Sequence, residues 1–235
     1  MIVAIDGPAG SGKSTTARQV ADRLGWLYLD TGAMYRAVGL AFRERGLPFT
    51  DAAAESLAPD LDVRLQPGPT GTRVALDGDD VTDRIRTPEA GTDASRASAL
   101  APVRAAMVAL QRQAAAAYVA ETGRGVVLEG RDIGTVVFPD ADVKFFLVAD
   151  LDARARRRLA DYDGGGEGGP DAARAALDKV RAELAARDRR DSDRSLAPLR
   201  PAPDAVTLDT TALTIDQQVE RVLDAVRRVR EPSTS

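Results

Sequence analysis

Short apolar runs separated by amphipathic segments dominate the hydrophobic pattern of this chain. The runs are too short for helices and consist mainly of Val, Leu, Ile and Phe, as buried parallel strands do. They cover residues 2–5, 26–29, 126–128, 143–148 and 205–208. Because the segments between them have helical periodicity, the pattern predicts an α/β fold in which helices flank a parallel sheet.

The helical segments are predicted from apolar spacing and from end signals. The first places Ala17, Val20, Ala21 and Leu24 on one face. Further helices are predicted at residues 38–46, 90–100, 103–119 and 172–186, after Asp152, and after a capping box formed by Thr214 and Gln217. Asp51 is predicted to cap a short helix that follows Pro48.

Two segments depart from this alternation and predict appendages on a single unit of 235 residues. Val63, Leu65, Val74 and Leu76 alternate with polar residues on either side of a Pro- and Gly-rich turn, which predicts a β-hairpin. The division expected is a core of residues 1–60, 120–155 and 196–230, an insert at about 61–119 and an Arg-rich helical lid at about 156–195. Glycines at 164–169 predict a flexible joint, and residues 231–235 a disordered tail.

Composition narrows the chemistry that is available. The chain has no Cys and no His, which excludes thiol nucleophiles, histidine bases and Cys/His zinc sites. A net charge of -4 argues against a nucleic-acid-binding protein. No apolar run is long enough to cross a bilayer, and no targeting pattern precedes the first strand. We therefore expect a soluble, cytoplasmic protein with neither a nucleic acid nor a membrane as partner.

The first strand leads directly into a glycine-rich motif, Gly7-Pro8-Ala9-Gly10-Ser11-Gly12-Lys13-Ser14. The motif fits the phosphate-loop pattern G-x-x-x-x-G-K-[ST] in full, and a helix follows it at once. In such a loop backbone N–H groups face phosphate oxygens, the lysine bridges the outer phosphates, and the Ser hydroxyl can bind Mg²⁺. The motif predicts a nucleoside triphosphate as ligand and leaves open what is done with it.

Three other segments carry groups that suit a second phosphate compound. Residues 30–36 and 129–135 follow two of the predicted strands, and ligands of open α/β sheets bind beyond such strand ends. Tyr35 and Arg36 are either a packed aromatic with a solvated neighbour or an anion clamp, and their spacing does not decide. The Arg-rich run 187–194 is either a solvated helix end or a mobile arm that reaches over a phosphate. With the phosphate loop, these parts suit phosphoryl transfer.

The longer motifs resemble those of a known family. The phosphate loop and residues 29–36, 129–140 and 187–191 together closely resemble the bacterial cytidylate kinases, and the resemblance extends to about Arg230. Many ATPases share the phosphate loop, whereas the run 130–140 is far more specific. The resemblance implies a P-loop NTPase-type nucleoside monophosphate kinase. Such an enzyme transfers the γ-phosphoryl group of ATP to CMP or dCMP with Mg²⁺, and the family expectation is a monomer.

The resemblance also implies a role for each matching residue. The ATP site would consist of Gly7, Pro8, Ala9, Gly10, Ser11, Gly12, Lys13, Ser14 and Thr15, with Ser14 directed towards the metal. The acceptor site would consist of Thr31, Tyr35, Arg36, Ser95, Arg104, Arg131, Asp132, Arg187, Asp191 and Arg194. The catalytic groups would be Lys13, Arg131, Asp132, Arg187 and Arg194. In the family the cytosine contacts fall on Ser95, Arg104 and Asp132, and a carboxylate with an arginine suits the donor and acceptors of that base.

Three features depart from the family pattern. Glu129 stands where the family commonly has Asp, and Thr31 where it often has Ser. The longer reach of Glu leaves the role of position 129 open. The glycines at 164–169 replace a charged stretch, which leaves the closure of the lid open.

Other functions fit the sequence less well. A kinase for UMP or AMP is the nearest alternative, because a few side chains decide which base is bound. A GTP-binding switch would need an Asn-Lys-x-Asp motif, and this chain contains no Asn. A nucleic-acid-dependent ATPase is disfavoured by the acidic charge and by the few aromatic residues.

Overall fold

The computed structural model describes residues 1–68, 71–162 and 170–231. In chain order its elements are β1 (Ile2–Asp6), α1 (Lys13–Leu24), β2 (Leu27–Asp30), α2 (Thr31–Glu44), α3 (Asp51–Leu57), β3 (Val63–Gly68), β4 (Gly71–Leu76), β5 (Asp79–Asp80), α4 (Pro88–Ala97), α5 (Ala101–Thr122), β6 (Val126–Gly130), β7 (Val143–Val148), α6 (Leu151–Tyr162), α7 (Pro170–Asp193), β8 (Val206–Asp209) and α8 (Ile215–Arg230). One turn of π-helix, the π-turn, covers Ile133–Val137.

The strand β1 lies at the centre of a five-stranded parallel sheet with the order β2-β6-β1-β7-β8. Val3 and Ile5 point to the face that packs against α1 and α8, and Ala4 points to the face covered by α5. Because helices cover both faces, the central strands are apolar along their whole length. The predicted strands and their parallel arrangement are confirmed.

The strands β3, β4 and β5 form a second, antiparallel sheet. Val63 pairs with Leu76 and Leu65 with Val74, so the apolar side chains of the hairpin share one face. That face is buried in a cluster with apolar residues of α2, α4 and α5. The predicted hairpin is confirmed, and β5 adds a short third strand to it.

The helices α6 and α7 pack against each other, and Ala155, Val180 and Leu184 are buried between them and the loop that follows β1. The helix α7 runs on to Asp193, whereas the sequence indicated regular helix only to about residue 186. Arg187 and Asp191 lie one turn apart, with 3.8 Å between Arg187 Nε and a carboxylate oxygen. Pairs of this spacing stabilise a helix, so the charged end remains helical.

The predicted cap of α3 is wrong. The Thr50 hydroxyl accepts a hydrogen bond from the Ala53 N–H at 3.3 Å and caps the helix. Asp51 instead accepts a hydrogen bond from the Ala101 N–H at 3.1 Å. Threonine and aspartate are both favourable N-cap residues. Because the Asp51 carboxylate is hydrogen-bonded to the start of α5, Thr50 caps α3 instead.

Some sequence-based expectations concern residues that are not described. The predicted joint at 164–169 lies outside the described residues, and so does the predicted tail apart from Glu231. The division into core, insert and lid also stays a prediction. Among the helices of the described ranges, none combines the length and apolar character that crossing a membrane requires.

Candidate active site

The chain between β1 and α1 forms a loop that closes on itself. Gly10 and Gly12 have φ angles of 76° and 90°, in the region that favours glycine. A Cβ on Gly7 would lie 2.2 Å from a backbone carbonyl oxygen of β7, so no side chain fits there. Lys13 Nζ donates a hydrogen bond to the Pro8 carbonyl oxygen at 3.4 Å, which places the ammonium group over the loop. This is the geometry of a phosphate loop.

Two buried side chains from distant segments support this loop. Gln218 of α8 accepts a hydrogen bond from the Thr16 hydroxyl at 2.8 Å. Arg154 of α6 donates to the Ala9 carbonyl oxygen at 3.2 Å and to the Asp188 carboxylate at 2.7 Å. Arg154, Asp188 and Gln218 were not predicted from the sequence to be part of the site. Asp188 lies within the motif 187–191 but received no role from it, and no motif pointed to Arg154 or Gln218.

Glu129 connects the phosphate loop to the end of β6. The Ser14 hydroxyl donates to its carboxylate at 2.9 Å, and Lys13 Nζ lies 3.7 Å from its other oxygen. Burial raises the pKa of Glu129, with Lys13 opposing the shift. Burial and the nearby Arg131 lower the pKa of Lys13 to about 7. Through its contacts with Ser14 and Lys13, the longer Glu side chain links the end of β6 to both residues of the phosphate loop.

A buried ion pair lies at the opposite side of the same strand end. Arg104 of α5 donates to the carboxylate of Asp132, and both residues are less than a tenth exposed. Asp132 follows the end of β6, whereas Arg104 reaches it across 28 positions of the sequence. Thr31 is held at the same edge, because its hydroxyl donates to the Glu129 carbonyl oxygen at 2.7 Å. These groups form a polar, largely buried wall.

Tyr35 is the packed aromatic of one interpretation, but its neighbour Arg36 is ion-paired, and the anion clamp stays a prediction. Tyr35 is packed in the core, and its hydroxyl is buried. Burial raises its pKa to about 12. Arg36 forms an ion pair, with its Nη2 3.2 Å from the Asp30 carboxylate. Asp30 also caps α2, so the helix begins directly at the end of β2. Tyr35 and Arg36 lie on the first turns of this helix and line the site.

The charged end of α7 lies against this wall. Asp191 accepts hydrogen bonds from the Ser95 hydroxyl and from Arg131 Nε, each at 3.1 Å. Arg194 donates to the Ser98 hydroxyl at 3.2 Å. Burial and the neighbouring Arg131 lower the pKa of Arg187 to about 9, with Asp191 opposing the shift. Arg187, Asp191 and Arg194 of this run therefore face the site, whereas Arg189, Arg190 and Asp193 are exposed, and the mobile arm over a phosphate stays a prediction.

The loop, the strand ends and α7 surround one cavity of about 550 Å³. All ten residues of the predicted acceptor site line it, and from the predicted ATP site so do Ala9, Gly10, Gly12, Lys13, Ser14 and Thr15. Gly7, Pro8 and Ser11 do not line it. Arg157, Arg158, Thr214 and Gln218 line it as well, although they were not among the predicted site residues. The cavity is large enough for small-molecule ligands and has a strong excess of arginines at its wall.

A phosphate loop and a cluster of arginines facing each other across one cavity, on a parallel α/β sheet, define a P-loop phosphotransferase. The family model for cytidylate kinase matches residues 3–228. The chain belongs to the cytidylate kinase family, and it is an ATP-dependent enzyme that phosphorylates CMP and dCMP.

Individual relatives agree with the family match over nearly the whole chain. A cytidylate kinase from Salinibacter ruber is 52% identical over 227 residues, which cover 97% of each chain. One from Geobacter sulfurreducens is 46% identical, covering 100% of this chain and 95% of the relative. Among solved structures, a shikimate kinase from Acinetobacter baumannii is 14% identical with a TM-score of 0.43, covering 96% of this chain and 92% of that one.

Proposed function

We propose that the phosphate loop holds the phosphates of ATP while the residues around Arg131 and Asp132 hold the acceptor monophosphate. The observation that carries this proposal is the single cavity, which Lys13 and Asp132 both line. Glu129 also lines the cavity. Its carboxylate accepts a hydrogen bond from the Ser14 hydroxyl, and it lies two residues before Arg131. The γ-phosphoryl group and its acceptor oxygen would therefore meet between two adjacent strand ends.

The transferring group carries negative charge over three oxygens, and neutralising that charge is the main task of the protein. Lys13 approaches this position from the donor side, and Arg131, Arg187 and Arg194 approach it from the acceptor side and from α7. These cations lie in a largely buried wall, where a charge acts more strongly than in water. In this proposal α7 acts as the lid, and its docking excludes water from the reaction.

Selection of cytosine is assigned to the buried polar wall that contains Arg104 and Asp132. The Asp132 carboxylate can accept from the exocyclic amine of cytosine, and the Arg104 guanidinium can donate to its ring nitrogen and carbonyl oxygen. The Ser95 hydroxyl lies nearby through its bond to Asp191. Uracil presents a carbonyl where cytosine has an amine, so it would meet the Asp132 carboxylate with the wrong partner.

Mg²⁺ is proposed to bind beside Ser14. The described residues include no cluster of three or more acidic side chains that could hold a metal on their own. The Ser14 hydroxyl and the Glu129 carboxylate, 2.9 Å apart, are oxygen donors of the kind Mg²⁺ prefers, and phosphate oxygens of ATP would complete the ligand set. When bound, the ion would neutralise phosphate charge.

The surroundings in which the enzyme works are also proposals. We expect a monomer, because donor and acceptor groups line a cavity that one chain forms by itself. A cytoplasmic location is expected from the family match alone.

The proposed function is tested by ADP release from Mg·ATP with CMP, dCMP, UMP, AMP, GMP or no acceptor. We expect strong activity only with CMP and dCMP. Activity confined to UMP or AMP would keep the phosphotransfer chemistry and contradict the base assignment. Equal release without any acceptor would contradict the acceptor site altogether.

A further inference from the structure

Asp6 is the last residue of β1 and immediately precedes the phosphate loop. Its side chain contacts the segment that follows β6. One carboxylate oxygen accepts a hydrogen bond from the Ile133 N–H and the other from the Gly134 N–H, both at 2.8 Å. Asp6 is only 5% exposed, so these bonds lie in the interior. The Asp6 carboxylate thus accepts hydrogen bonds from the two consecutive backbone N–H groups that follow Asp132.

These two amides open the π-turn, where a cap is needed. The first N–H groups of a helical turn have no partner within the turn, and a buried unpaired N–H is unfavourable. Usually the residue in front of the turn supplies the cap, and aspartate is among the best residues for it. Asp132 occupies that position, yet its side chain makes no capping bond to the described turn and pairs with Arg104 instead. Asp6 supplies the cap from another strand.

We propose that Asp6 is a positioning residue for the acceptor site. By capping the π-turn in place of Asp132, it leaves the Asp132 carboxylate free to pair with Arg104 and to face the acceptor base. This inference rests on the proposed function of Asp132 in cytosine selection. The register supports it, because Asp6 lies directly beside Gly130, so the cap reaches only the short distance to the next strand end.

Asp6 is an acidic residue in buried surroundings that disfavour its charged form. Burial raises its pKa to about 7, and the two backbone hydrogen bonds only partly oppose this shift, which Asp132 increases further and Arg131 reduces. An apolar residue in this position would avoid the unfavourable burial. It would also leave two amides without a partner, and Asp132, the nearest suitable cap, would turn back to them and abandon Arg104.

The test compares Asp6→Asn with a matched control, Asp142→Asn. Asparagine keeps the size of aspartate, but it offers one acceptor oxygen and directs an NH₂ group at the second amide. Asp142 makes the same kind of bond at the other end of β1, where its carboxylate accepts from the Ile2 N–H at 2.6 Å. The quantities to measure are the KM values for CMP and ATP and the ratio of kcat/KM for CMP over UMP.

We expect Asp6→Asn to raise the KM for CMP and to lower the CMP to UMP ratio, each by about five- to tenfold, the scale of a lost cap. The KM for ATP should stay within about twofold, and Asp142→Asn should change none of the three values. A parallel rise of both KM values, or an unchanged base ratio, would overturn the inference. A wild-type chain that does not prefer CMP would overturn the proposed function itself, and the two failures are thereby distinguishable.

Two further variants keep the inference falsifiable if Asp6→Asn does not fold. Asp6→Ser retains an oxygen acceptor in a smaller side chain and should show the same defect, confined to the acceptor and smaller in size. Asp132→Ala should change the base ratio much less in the Asp6→Ser background than in the wild type, because the two residues act on one step. Additive effects of the two substitutions would contradict the inference.

Discussion

Asp191 and Arg131 form a direct contact between the end of α7 and the end of β6, with Arg131 Nε 3.1 Å from the Asp191 carboxylate. The same carboxylate receives the Ser95 hydroxyl of α4. One buried acid therefore joins three elements that are far apart in the sequence. Burial alone would raise the pKa of Asp191, yet Arg131 and its neighbouring arginines hold it below its ordinary value. The proposed lid is thus docked through charge rather than through apolar packing alone.

This contact predicts a defect for Asp191→Asn. The substitution keeps the shape and removes the charge shared by Arg131 and Arg187, so the buried arginines repel each other. We expect kcat/KM for CMP to fall by about tenfold or more, as for a buried pair that loses one partner. Asp193→Asn is the control, because Asp193 lies exposed on the same helix. Equal activity of the two variants would show that the docking contact has no functional weight.

Lys13 is predicted to serve the reaction and not the fold. Its ammonium group is buried, and burial together with Arg131 already lowers its pKa to about 7, so the folded chain gains little from the charge. Lys13→Ala should reduce turnover by on the order of 10³-fold. Thermal unfolding should shift by no more than a few degrees. Full activity of the variant would contradict the phosphate-loop assignment.

Arg154 is predicted to act mainly on the ATP side. It holds the Ala9 carbonyl oxygen of the phosphate loop and the Asp188 carboxylate of α7 at once. Arg154→Ala should raise the KM for ATP by about tenfold, with a smaller change in the KM for CMP. Arg156 is exposed on the same helix, so Arg156→Ala is the control. A parallel change in both variants would indicate a general effect of α6.

The raised pKa of Asp6 predicts a specific dependence of stability on pH. The folded chain holds this proton up to about pH 7, whereas the unfolded chain releases it near 3.8. Between these values the folded state binds more protons, so the contribution of Asp6 to stability falls as pH rises and stays low above pH 7. Asp6→Asn cannot ionise and should lack this loss.

Urea unfolding of both chains at several pH values measures the difference. Between about pH 4 and 7 the variant should gain on the wild type by up to roughly 4 kcal/mol, the free energy of a three-unit pKa shift. The other carboxylates titrate in both chains and cancel. A difference that does not change with pH would show that Asp6 is ionised like an ordinary aspartate.

The acceptor residues could be found from the sequence because of where they lie along the chain. Thr31, Arg131 and Asp132 follow strands, and parallel strands bring their carboxyl ends to one edge of the sheet. The family resemblance supplied the remaining residues on α2, α4, α5 and α7. All ten line the same cavity. The strands themselves were recoverable because helices cover both faces, which makes each strand a continuous apolar run.

The supporting contacts could not be found in this way. Gln218 meets Thr16 across 202 positions, and Asp6 meets Ile133 across 127 positions. Neither pair leaves a periodic or local signal, because the contact depends on how two strands and a helix pack. The misplaced cap at Asp51 has the same origin, since a contact to α5 decided between two suitable residues. Long-range geometry is what the sequence pattern lacks.

The most direct test of the account follows the transferred phosphoryl group itself. The purified chain is given ATP labelled in the γ-phosphoryl group and an equimolar mixture of CMP, dCMP, UMP and AMP, and the labelled products are separated by chromatography. We expect the label in CDP and dCDP, with Asp132→Ala losing this preference. Label found mainly in UDP, in ADP or in inorganic phosphate would contradict the assignment of this cavity to cytidine monophosphates.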